Sequence, residues 1–128
     1  MRNLQKQGFT IIEMMMVVAI VALLVSIAIP NIIRVKSSSN HAFAQTTLKS
    51  ISNALEMYAS TSGTYPTTTT QLFVPYPYLA DYFTGSLNGY TFTPTLTNYS
   101  YQVVATPVVT IQGTTTYMIS TGGLFTSF

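Results

Sequence analysis

The sequence predicts an α+β chain: a long N-terminal α-helix, transmembrane and then amphipathic, packed on a small C-terminal antiparallel sheet. Three observations carry this. Met14–Ile33 contains no charged residue. Ala44, Leu48, Ile51, Leu55 and Tyr58 then recur at steps of four and three, one buried stripe of a helix. From Thr64 the composition turns to Thr, Tyr and Pro, with alternating runs that suit strands.

The N-terminal run comes first. About 20 residues at about 1.5 Å rise span about 30 Å, the thickness of a bilayer core. Only Ser26, Pro30 and Asn31 in it are not plainly apolar. A removable secretory signal would account for Arg2 and Lys6 as its basic region, and Ser26-Ile27-Ala28 as a weak cleavage site. The apolar run is too long for that, and Glu13 interrupts the junction where such peptides carry no negative charge. A plain anchor, with Arg2 and Lys6 holding the N-terminus in the cytoplasm, explains the basic leader but not Glu13.

Gly8-Phe9-Thr10-Ile11-Ile12-Glu13, followed by the apolar run and Pro30, resembles the class III signal of type IV pilins and type II secretion pseudopilins. The match covers roughly residues 1–35 and meets every position of the pattern. The resemblance implies that a membrane aspartyl peptidase removes the leader 1–8 by cutting after Gly8. The same enzyme would methylate the new N-terminal Phe9. The helix from Phe9 to Ile33 would hold the chain in the bacterial inner membrane, N-terminus cytoplasmic. It would then become the core of a helical homo-oligomeric filament when the inner-membrane assembly machinery extracts it.

The chemistry of Glu13 fits this. An α-amino group has a pKa near 7.7–8.0 and remains mostly protonated at neutral pH. A carboxylate in an apolar helix costs roughly 2.5–3.5 kcal/mol at the helix centre, and an opposite charge offsets that. The resemblance implies that Glu13 pairs with the Phe9 amine of a neighbouring subunit. The alternative is that Glu13 only caps its own helix. Pro30 removes a backbone donor and is expected to kink the helix, or to open it as in the resembling family.

Residues 34–62 are expected to continue the same helix, about 75 Å in all. Gln45, Lys49, Ser52, Asn53 and Glu56 fall on faces away from the stripe. Ser37–Ser39 is poor helix material, so a weak point is expected there. Gly63 supplies a C-cap. The membrane half has no partner surface within so small a chain, so it must pack on lipid or on copies of itself.

Residues 63–128 are expected to form the head. "GTYPTTTTQL" reads as a loop, with a helical turn at Leu79–Phe83. Strands are expected at Tyr90–Thr93, Tyr99–Ala105 and Thr116–Ser120, with "LNGY" and "IQGT" as turns. The sheet's apolar face would cover the Ala44–Tyr58 stripe. The head departs from two subfamily patterns: it lacks the cysteine pair of many type IVa pilins and the C-terminal acids of calcium-binding pseudopilins.

Composition narrows the function classes. Of 128 residues only 6% are charged, with five Lys or Arg, three Asp or Glu, and one His. Five scattered bases make no nucleic-acid footprint. No cysteine is present, which excludes disulfides and thiolate sites. Glu13, Glu56, Asp81 and His41 leave little for a catalytic centre, and no metal or cofactor site is expected. His41 reads as solvated or hydrogen-bonded, the tyrosines as core and subunit contacts. Asn98-Tyr99-Ser100 is a formal but unspecific N-glycosylation sequon. The sequence thus suggests a structural subunit of a type IV pilus-like filament, or a secretion pseudopilin. A permanently anchored envelope binding protein is the rival from a different class. No enzyme is expected.

Overall fold

A computed structural model describes residues 8–74, 77–108 and 115–128. Helix α1 runs from Ile11 to Ser62, 52 residues. It continues through Pro30 and through Ser37–Ser39, where propensity alone predicts weakness. It stops at Gly63, whose φ of +78° is open to a residue without Cβ, and whose N–H donates to Ala59 O at 2.8 Å.

The chain divides into two compact units between Arg34 and Val35. In the first, α1 is long and apolar enough to cross a membrane, with a mean hydropathy of 2.7 over its most apolar 18 residues and none of that window buried.

In the second unit, four antiparallel strands form a meander in the order β1 (Tyr90–Leu96), β2 (Tyr101–Pro107), β3 (Tyr117–Ser120) and β4 (Leu124–Ser127). Phe92 pairs with Ala105, Val103 with Ile119, and Ile119 with Phe125. Alternation therefore puts Tyr90, Phe92, Tyr101, Val103, Tyr117 and Ile119 on one buried face. That face meets Ala44, Leu48, Ile51 and Leu55 of α1, each fully buried, and Leu72 closes the cluster. Burying each large side chain contributes about 1.5–3 kcal/mol before chain entropy is set against it. The expected α+β fold is the one observed, stripe against sheet.

Several details differ from the sequence reading. A fourth strand exists, because the glycines Gly122 and Gly123, both with positive φ, turn the chain back along β3. No helical turn forms at Leu79–Phe83. The short 3₁₀ turn lies instead at Thr69–Leu72, where Gln71 Oε1 accepts from the N–H of Thr67 at 2.8 Å and of Thr68 at 3.3 Å. Strand β2 starts at Tyr101 rather than Tyr99, since Thr97–Ser100 is the hairpin turn, closed by Thr97 N–H to Ser100 O at 2.9 Å. "LNGY" does turn: Asn88 and Gly89 both have positive φ between the mutually bonded Leu87 and Tyr90. "IQGT" lies outside the described residues.

Candidate functional site

The start of α1 is built by two residues. Thr10 precedes the first helical residue and its hydroxyl accepts the N–H of Glu13 at 3.3 Å. Glu13 Oε2 reaches back to accept the Thr10 N–H at 2.8 Å and its hydroxyl at 2.7 Å. This is a reciprocal capping box, in which the T-x-x-E spacing satisfies donors that a helix start leaves bare. Within one chain, then, Glu13 caps its own helix. Only Oε2 is used for this, and Oε1 accepts no bond among the described residues. A carboxylate accepts at both oxygens, so a further donor has a place to bind. Gly8 is exposed with open space about its Cα, and Phe9 is 80% exposed. The leader residues 1–7 lie outside the described residues.

The exposed apolar surface continues through Ile11, Met15, Val18, Leu23 and Ile27. At Pro30 the ring removes one backbone donor. One residue on, Asn31 Nδ2 donates to Ile27 O at 3.2 Å.

In the second unit two polar clusters fasten α1 to the sheet. Glu56 Oε2 accepts the Tyr65 hydroxyl at 2.9 Å. Its Oε1 accepts the Tyr101 hydroxyl and the Gly122 N–H, each at 3.1 Å. The Tyr101 oxygen also lies 2.8 Å from Ser52 Oγ. One carboxylate thus holds the segment after the helix, strand β2 and the β3–β4 turn. Burial first, and then the Glu56 acceptor, push the Tyr65 hydroxyl up to about 12. Burial also raises Tyr101. The sequence reading put Ser52 and Glu56 on faces away from the stripe. Ser52 is buried and Glu56 half-buried, because they border the stripe and meet tyrosines far away in sequence.

At the other cluster His41 Nδ1 lies 2.9 Å from the Tyr90 hydroxyl and 3.0 Å from that of Tyr117. Tyr90 donates its own proton to Thr115 O at 3.0 Å. His41 is hydrogen-bonded, one of the two states, solvated or hydrogen-bonded, that the sequence left open. No group of three His, Cys, Asp or Glu side chains comes together among the described residues.

A family model described as the prokaryotic N-terminal methylation motif matches residues 3–29. Type II secretion system core protein G of Vibrio cholerae is 39% identical over 69 residues, 53% of this chain and 47% of that protein. The same protein of Escherichia coli is 38% identical over 69 residues, covering 53% and 48%. Type IV major pilin protein PilA of Myxococcus xanthus is 41% identical over 63 residues, covering 49% and 29%. The chain spans about half the length, or less, of these relatives.

Proposed function

We propose that this chain, which carries the prokaryotic N-terminal methylation motif and is homologous to type II secretion core protein G and a type IV major pilin, is a structural subunit of a type IV pilus-like filament. The observation that carries the reading is the bare apolar half of α1. Its most apolar window has no residue buried within the chain, so it needs lipid before assembly and copies of itself afterwards.

In this reading the prepilin peptidase cuts after Gly8 and methylates the amine of Phe9. The peptide bond is hydrolysed by water. The released neutral amine then takes the methyl group of a sulfonium methyl donor, whose carbon–sulfur bond breaks to leave a neutral thioether; the methylated amine is a cation. Residues 9–33 hold the subunit in the inner membrane with its N-terminus cytoplasmic. Inner-membrane assembly machinery then extracts it into a cell-surface or periplasmic filament. Glu13 accepts the Phe9 amine of a neighbour at its open Oε1 while Oε2 keeps the cap. A misregistered subunit leaves both charges unpaired in an apolar place, so the pair fixes register more than it adds stability. Pro30 is the point where α1 opens or bends as the subunits pack.

The core protein G relatives favour a second reading, a pseudopilin of a type II secretion system. Both readings need the same cut. Intact-mass and N-terminal analysis of the mature protein, with electron microscopy of the cells, tests them together. A chain starting at methylated Phe9 together with fibres is expected. A start at Met1, without fibres, sinks both and leaves the permanently anchored envelope protein; a start near Ala28 sinks both and means that the apolar run is a removed secretory signal.

A further inference from the structure

Charge is scarce in this chain, and how it is used is informative. Beyond the leader the side-chain anions are Glu13, Glu56 and Asp81, and the cations are Arg34, Lys36 and Lys49. Glu56 is filled by two hydroxyls and a backbone N–H, none of them a cation. Glu13 lies in the apolar segment and caps its own helix. Asp81 is thus the one exposed side-chain carboxylate of the second unit. None of the three cations has an ion-pair partner among the described residues.

Asp81 is also preorganised. Its carboxylate accepts the Phe83 N–H at 3.0 Å and the Thr84 hydroxyl, and these bonds hold it below the usual carboxylate range. A fixed anion loses little freedom when a cation approaches. Lys49 is exposed on the stretch of α1 whose other side is covered by the sheet. Lys49 and Asp81 therefore share one compact unit and do not reach each other within it. Opposite charges on separate patches of one surface suit a heterologous contact, which repeats along a helical polymer because the two patches differ.

We propose that Asp81 of one subunit pairs with Lys49 of a neighbouring copy, head to head, in the filament. This rests on the filament reading above. A single exposed pair contributes only about 0–1 kcal/mol. Its effect here is on register and on rejection of misplaced neighbours, since like charges brought together are repelled. Arg34 and Lys36 lie before the first buried residue of α1 and flank the apolar run, where a headgroup or a solvated stretch accommodates them.

The absence of cysteine makes the test direct. Filaments of a Lys49→Cys/Asp81→Cys chain, treated with a short bismaleimide, are expected to give a ladder of cross-linked multimers, and neither single cysteine variant gives one. Lys49→Asp and Asp81→Lys are each expected to lose filaments, and the charge-swapped double variant to regain them. Filaments of the double cysteine chain without a ladder overturn the pairing. So does a stronger ladder from Lys36→Cys/Asp81→Cys, or full assembly by both single reversals. A wild-type chain that makes no fibres overturns the filament reading, and this pairing with it.

Discussion

Glu13 and Glu56 are two of the three side-chain carboxylates, and each is held by neutral donors. Glu56 is filled at both oxygens, by donors from three segments. Truncating it leaves the Tyr65 hydroxyl and the Gly122 N–H without their acceptor and the Tyr101 hydroxyl with Ser52 alone, and each lost acceptor costs about 1–3 kcal/mol where water cannot replace it. Glu56→Ala is expected to lower the thermal midpoint of the head clearly, read by circular dichroism, while a surface control such as Asn53→Ala leaves it within about 0.5 kcal/mol. An unchanged midpoint would show that the clamp contributes nothing. Glu13 keeps one oxygen open. Glu13→Ala is expected to be cut, methylated and inserted, yet to form no filaments. Its loss of the helix cap costs only about 1 kcal/mol at an exposed helix end, too little to block insertion. Normal fibres from that variant, seen by electron microscopy, would remove the pairing with Phe9.

At the scale of elements, α1 is fastened to the sheet by tyrosines, and this sets an alkaline limit. Tyr65, Tyr90 and Tyr101 all have raised pKa values, with burial the largest cause in each. The folded state therefore holds protons that the unfolded state releases first. Their stabilisation is complete below about pH 10, the ordinary tyrosine value, and is lost as pH rises toward about 12, the value Tyr65 reaches. The head is expected to unfold in that window, with tyrosinate absorbance and loss of circular dichroism rising together. Tyr65→Phe should move the onset upward relative to its own midpoint at neutral pH. Tyrosinate appearing well before unfolding would contradict the assignment.

At the scale of the whole molecule, the division between Arg34 and Val35 separates two kinds of stability. The second unit contains a core of its own, while the first has its most apolar window bare. Val35–Phe128 expressed alone is expected to be soluble and cooperatively folded, whereas the chain from Phe9 requires detergent. A fragment that stays unfolded in circular dichroism would show that the core depends on the apolar half.

The sequence alone determined the membrane-length helix, its amphipathic continuation, the Gly63 stop and the core stripe. Each follows from local periodicity or from one residue's backbone freedom, and Leu48, Ile51 and Leu55 are buried where their spacing placed them. That Glu13 caps its own helix was one of the two roles its position left open, and the partner that makes it a capping box, Thr10, lies only three residues away. Only the tertiary structure decided the rest. Ser52 and Glu56 sit at the edge of the stripe, where helical spacing does not say whether solvent or sheet lies opposite. Their partners Tyr101 and Gly122 are 49 and 66 residues away. Strand β4 was hidden for a related reason: its four residues alternate little in burial, and what makes them a strand is the edge of β3 offered by the Gly122–Gly123 turn. Short-range chemistry can be read along the chain, but pairings across it depend on which surfaces the fold brings together.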